Sequence, residues 1–123
     1  PVLVIDNEPA VLESMQLLLE RWGCDVLTAA SKAEAVEALE QTGQIPALIL
    51  ADYHLNNERT GYDAVHGVRR HLGRDIPAAI ITADRSDDTR KILRAQYLPI
   101  LNKPVKPNRL RALMTSLLTS ASA

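Results

Sequence analysis

Three runs of the sequence, VLVI at 2–5, PALILAD at 46–52 and IPAAIIT at 76–82, are apolar almost from end to end and show no polar alternation. A strand with one wet face alternates. Strands that do not alternate are buried on both faces, and a small domain achieves that with a parallel sheet covered by helices on each side. Between the runs the period changes to that of a helix. From Pro9 to Trp22 the residues Val11, Met15, Leu18 and Trp22 recur at helical spacing, with a proline in the first turn and Gly23 at the stop. CDVLTA at 24–29 reads as a second strand, and Ser31 with Glu34 as a capping box opening a helix that runs to Gly43. Val65, Val68 and Leu72 stripe a third helix up to Gly73. SDDTRKILRAQ at 86–96 reads as a fourth helix and PILN at 99–102 as a short last strand. Pro107 opens a final helix striped by Leu110, Leu113, Met114 and Leu117. Five strand–helix units in this order predict one doubly wound α/β domain over 1–119, with 120–123 as a polar tail.

With 123 residues, 46% of them hydrophobic, the chain has room for one core and none for a second domain. Its net charge of −1 comes from interleaved signs, so it lacks the basic stripe that binding to a nucleic acid requires. No apolar run approaches the roughly 20 residues needed to cross a bilayer, and no secretory signal precedes the first strand; membrane contact by this domain is not expected. The single Cys24 cannot form an internal disulfide. Beside Trp22 and Val26 it is expected to pack as a small hydrophobe in a reducing, cytoplasmic setting. The start at Pro1 without a methionine and the small polar ending TSASA lead us to expect a fragment of something longer.

In doubly wound sheets ligands bind outside the carboxyl ends of the strands. The residues there are Asp6, Asn7 and Glu8 after the first strand, Asp52 after the third, Thr82, Ala83 and Asp84 after the fourth, and Lys103 with Pro104 after the fifth. Two carboxylates about 4 Å apart repel by about 4 kcal/mol at an effective dielectric near 20, so Asp6 and Asp52 would need a proton or a cation. Lys103 offsets one charge. A hard divalent ion held by few protein oxygens, with positions left for water and phosphate, fits the remainder, and Mg²⁺ suits that description better than Ca²⁺. Zinc has no ligand cluster here: His54, His66 and His71 do not recur at a metal spacing, and the last two read as exposed helix-face residues. Taken singly, each residue has a plainer reading. Asp6 or Asn7 could cap a helix, Thr82 could bond to backbone, Lys103 could be a solvated charge, and Asp87 and Asp88 compensate a helix dipole. Together, a carboxylate, a cation, a lysine and a hydroxyl are the parts that phosphoryl transfer requires.

The set Asp6, Asp52, Thr82 and Lys103, within the phrases VIDNEP, LILADYHL, IITA and NKPVKP in that order, resembles the receiver domain of two-component signalling over essentially the whole chain. The resemblance implies a flavodoxin-like (βα)5 fold with strand order 2-1-3-4-5. It also implies that Asp52 accepts a phosphoryl group from a phosphohistidine, donated by a histidine kinase domain or a histidine phosphotransfer protein. Mg²⁺ would be held by Asp6, Asn7, Asp52 and the backbone carbonyl of His54, with Glu8 at the rim, while Thr82 and Lys103 bind the phosphoryl oxygens. A cis Lys103–Pro104 bond is implied as well. His54 and Asp84, each two residues past a site residue, would border the phosphoryl group and tune its lifetime. The KPVKP ending and the WGC before the second strand resemble the receiver at the C-terminus of hybrid sensor histidine kinases. A stand-alone regulator is the alternative. The partner surface is expected on the first helix, at Val11, Leu12 and Met15.

Two departures qualify the resemblance. Asn7 stands where the family's second acidic residue is usual, so weaker Mg²⁺ binding is expected. Ile100, three residues before the lysine, stands where many relatives carry an aromatic that swings inward, so a Tyr or Phe rotamer switch is not available. A haloacid-dehalogenase-like phosphatase would carry an aspartate where His54 stands, and neither a glycine-rich turn nor a P-loop supports nucleotide binding. The remaining rival is an unphosphorylated pseudo-receiver that acts as a binding module.

Overall fold

A computed structural model describes residues 1–54, 61–83, 90, 91, 94 and 98–122, with side chains to 118. Strand β1 (Val2–Ile5) lies between β2 (Val26–Ala29) and β3 (Leu48–Asp52). β4 (Ala78–Thr82) and β5 (Ile100–Asn102) follow on the β3 side. The order is therefore β2-β1-β3-β4-β5, with every pair parallel, as the resemblance implies.

The missing alternation in the strands has a direct explanation in two cores, one on each face of the sheet. Leu3, Ile5, Ile49, Ala51 and Ile80 pack with residues such as Leu39 of α2 (Lys32–Thr42) and Val65 and Val68 of α3 (Gly61–Leu72). Val2, Val4, Leu48, Leu50 and Ile81 pack on the opposite face, against Met15 and Leu19 of α1 (Pro9–Arg21) and Leu110 and Met114 of α4 (Pro107–Ser122). Neighbouring residues along a strand thus enter different cores, so every position must be apolar. Each large aliphatic side chain buried this way contributes about 1.5–3 kcal/mol.

Local signals set most element ends. Ser31 Oγ accepts from the Glu34 N–H at 3.2 Å, and the Glu34 carboxylate accepts from the Ala30 N–H at 2.9 Å, one residue earlier than the capping-box pattern predicts. α1 closes at Arg21, and Gly23 takes the left-handed conformation (φ 84°) that costs a glycine nothing. The expected start of β2 at Cys24 is corrected to Val26: the Cys24 N–H donates to the Leu19 carbonyl at 3.0 Å, completing the end of α1 instead of joining the sheet. Cys24 itself is half-buried against the second core. α4 continues through Ser122, into residues read as a tail, in keeping with the helix propensity of alanine. Of the expected helix at 86–96, only Arg90, Lys91 and Arg94 are described, and these are helical. Asp84, Asp87 and Asp88 lie outside the described residues.

Candidate functional site

Parallel register brings the carboxyl ends of the strands level along one edge. Ile5 pairs with both Ala29 and Ala51, Asp52 with Ile81, and Thr82 with Asn102. The residue that ends or follows each strand therefore meets its counterparts there. Among the described residues, three buried side chains are polar or charged, Asp6 (2% exposed), Asp52 (5%) and Thr82 (0%), and all three stand at this edge.

Lys103 joins them from the end of β5. Its Nζ lies 3.2 Å from Asp52 Oδ1 and 3.7 Å from Asp6 Oδ2. The backbone fixes where it starts: the Lys103 N–H donates to the Thr82 carbonyl at 2.9 Å, and the Lys103–Pro104 bond is cis. Asp6 is held from its other oxygen, since Oδ1 accepts from the Glu8 N–H at 2.9 Å as the chain turns into α1. The helix-cap reading of Asp6 is not met, because Glu8 itself precedes α1 and no side chain caps that helix; the Asp6 side chain faces Lys103 instead.

Two buried carboxylates share the ammonium of Lys103, which is itself half-buried. Burial pushes the Asp52 carboxyl above its ordinary value, and the charge of Asp6 pushes it the same way. The hydrogen bond and charge of Lys103, then the charge of His54, act against this without cancelling it. For Lys103, burial works to lower the ammonium's value. The hydrogen bond and charge of Asp52, then the charges of Asp6 and Glu8, outweigh it and leave Lys103 above its ordinary value.

The remaining expected site residues are placed less deeply. Asn7 is half-buried beside Asp6, and Glu8 is exposed at the rim. His54 is exposed, its ring edge-on to Tyr53 with centroids 5.0 Å apart. His66 and His71 are exposed on α3, as expected; His71 Nε2 lies 3.8 Å from a Glu40 oxygen. Among the described residues, no three His, Cys, Asp or Glu side chains group as metal ligands. Two buried carboxylates with a neighbouring amide match a hard cation that completes its shell with neutral oxygens and water. No helix among the described residues is long and apolar enough to cross a membrane.

A groove and a glycine complete the surroundings. Next to Lys103 a cavity of about 630 Å³ opens between α1 and the chain after β5, lined by residues that include Ala10, Val11, Ser14, Met15, Leu18, Pro104 and Val105. Leu12, expected on the same surface, lines a different cavity with Thr28 and Ala38, because its position on the helix turns it toward α2. Gly61 was not singled out from the sequence. Its N–H donates to the Tyr53 carbonyl at 2.9 Å, directly behind Asp52. No local signal singles it out, because a glycine is well tolerated at the start of a helix.

Residues 2–115 match the family model of the response regulator receiver domain. The chain is 32% identical to an uncharacterized 14.6 kDa protein in the sodA1 3′ region of Leptolyngbya boryana, over 86% of this chain and 80% of that one. It is 35% identical to the response regulator protein PilR of Pseudomonas aeruginosa, over 94% of this chain and 25% of PilR. In structure it resembles the chemotaxis protein CheY4 of Vibrio cholerae, with a TM-score of 0.82 at 23% identity over 94% of this chain and 96% of that one. The receiver domain of the PhyR response regulator of Erythrobacter litoralis gives 0.77 at 30% identity, over 96% and 88%. A family model that spans nearly the whole chain agrees with the sheet order found here, and the chain belongs to the response regulator receiver domain family.

Proposed function

We propose that this domain accepts a phosphoryl group on Asp52 from a phosphohistidine, with Mg²⁺ held at the same edge of the sheet. The observation that carries this reading is the pairing of two buried carboxylates, Asp6 and Asp52, with the single ammonium of Lys103. In the transfer a carboxylate oxygen of Asp52 bonds to phosphorus as the phosphorus–nitrogen bond of the donor breaks. The donor imidazole leaves and takes up a proton, and Asp52 becomes an acyl phosphate. Lys103 opposes protonation of the nucleophile and then shares its charge with a phosphoryl oxygen. Thr82 supplies a buried hydroxyl at the adjoining strand end as the second partner for those oxygens. Asp6, Asn7, Asp52 and the His54 carbonyl would hold Mg²⁺, with Glu8 at the rim, and the ion supplies positive charge for the transferring oxygens. Attack by water on the same phosphorus returns Asp52 and releases phosphate. By their sequence positions, each two residues past a site residue, His54 and Asp84 would tune the lifetime.

The donor is a histidine kinase domain or a histidine phosphotransfer protein in the cytoplasm. Its docking face is the apolar groove beside Lys103, extended by Leu17 of α1, which is 60% exposed. We take the parent to be a hybrid sensor histidine kinase, on the KPVKP and WGC phrases. The match over 80% of the Leptolyngbya boryana protein favours a second reading, a stand-alone regulator.

The test is intact-mass spectrometry after incubation with acetyl phosphate. One phosphoryl mass per chain, dependent on Mg²⁺ and lost in Asp52→Asn, is expected. Repeated turnover of p-nitrophenyl phosphate would instead indicate a phosphatase. No uptake from acetyl phosphate or from a phosphohistidine donor, in a folded sample, would indicate a pseudo-receiver.

A further inference from the structure

α3 contains two glycines, Gly61 and Gly67, in a helix where alanine would be favoured by about 1 kcal/mol at an interior position. Both sit against something. A methyl at Gly67 would overlap Lys32 Cε and stand 2.8 Å from Cδ, which is the movable end of a long side chain. A methyl at Gly61 would overlap the carbonyl oxygen of Asp52, stand 2.8 Å from its carbonyl carbon and 3.3 Å from the Ala51 Cβ. Carbon and carbonyl oxygen meet at roughly 3.3–3.6 Å, so the end of β3 would have to retreat by about 1 Å. It has little room to do so. Asp52 is paired to Ile81 in the sheet, the Tyr53 N–H donates to the Ile81 carbonyl at 2.8 Å, and the Gly61 N–H holds the Tyr53 carbonyl at 2.9 Å.

We infer that Gly61 is a positioning residue for the phosphoacceptor: its bare Cα lets α3 begin directly behind Asp52 and fixes the carboxylate against Lys103. This rests on the reading of Asp52 as the acceptor. Gly61 touches no reacting atom and acts through the backbone of Asp52. The same hydrogen bond ties Gly61 to Tyr53, the residue between Asp52 and His54. Crowding at Gly61 would therefore disturb both the nucleophile and an expected Mg²⁺ ligand.

The experiment compares the unmodified chain with Gly61→Ala and Gly67→Ala, two identical substitutions in one helix. For each, the rate of phosphorylation is measured across acetyl phosphate and Mg²⁺ concentrations, and a crystal structure gives the Lys103–Asp52 distance. Every assay is repeated in trimethylamine N-oxide, which favours the folded state. In Gly61→Ala the maximal rate is expected to fall about a hundredfold, as for a misplacement near 1 Å, with little change in the acetyl phosphate needed for half the rate. The Lys103–Asp52 pair should lengthen past about 4 Å, beyond ion-pair contact. Gly67→Ala is expected to match the unmodified chain within about twofold. A Gly61→Ala rate equally close to the unmodified chain, a rate restored by the osmolyte, or Asp52 unmoved in the crystal would overturn the inference, as would a variant that does not fold even in the osmolyte. If the unmodified chain takes up no phosphoryl group, the reading of Asp52 fails instead. The Lys103–Asp52 distance then decides alone whether Gly61 sets the carboxylate's position.

Discussion

The ammonium of Lys103 stands 3.2 Å from Oδ1 of the buried Asp52, while Asp6 draws on the same ammonium from 3.7 Å. A site with more negative than positive charge among the described residues is held together at a cost to the fold.

Asp52→Asn should stabilise the protein at neutral pH. The carboxyl titrates higher in the folded chain than in the unfolded one, so as pH rises from its ordinary value of 3.8 through the raised folded value, the unfolded chain releases its proton first and stability is lost. Removing the carboxyl removes that loss. A gain on the order of 1 kcal/mol, roughly 3–6 °C in Tm, is expected at pH 7 and should vanish in acid below both values. Thermal melts of both proteins across pH check this; equal melting points at pH 7 would contradict it.

Lys103 titrates in the opposite window. Its folded value lies above the ordinary 10.5, so its contribution is complete below that pH and is lost as pH rises through the folded value. Lys103→Met should leave two buried carboxylates without their ammonium and lower stability by about 1–3 kcal/mol at pH 7. Urea unfolding with and without Mg²⁺ measures the deficit, and the metal should restore part of it.

Asn7→Asp adds a third carboxylate beside Asp6. In the absence of metal it should destabilise the fold, and it should tighten Mg²⁺ by at least about tenfold, or 1.4 kcal/mol. Calorimetric titration with MgCl₂ reads the affinity; an unchanged constant would mean that Asn7 does not face the ion.

Thr82→Ala removes a fully buried hydroxyl from the edge of the site. The phosphorylation rate should fall by about ten- to a hundredfold, and Thr82→Ser should retain most of it, because the hydroxyl and not the methyl is required. Radiolabel uptake from a phosphohistidine donor distinguishes the two variants.

Ser14→Arg places a bulky charge in the apolar groove at an exposed position. Phosphorylation by acetyl phosphate should be unaffected, whereas transfer from a histidine phosphotransfer protein should slow by about tenfold or more. Equal loss with both donors would mean that the substitution damages the site and not the docking face.

The chain's own pattern determined the layered fold. Apolar runs without alternation can be satisfied only between two helical layers, and Ser31, Gly23 and Gly43 mark the helix ends by chemistry that acts within a few residues. Asp6, Asp52, Thr82 and Lys103 were legible for the same reason, since an apolar run that ends in a polar residue marks a strand's carboxyl end. Two features were decided by tertiary structure alone, the placements of Leu12 and Gly61. Cys24 leaves β2 through a bond to the Leu19 carbonyl that is still local to the end of α1, whereas Leu12 lines a cavity other than the groove and Gly61 abuts Asp52 although nine positions separate them. These last two depend on which surfaces meet once the sheet has closed. A periodic pattern specifies which face of an element is buried, and only packing specifies what that face touches.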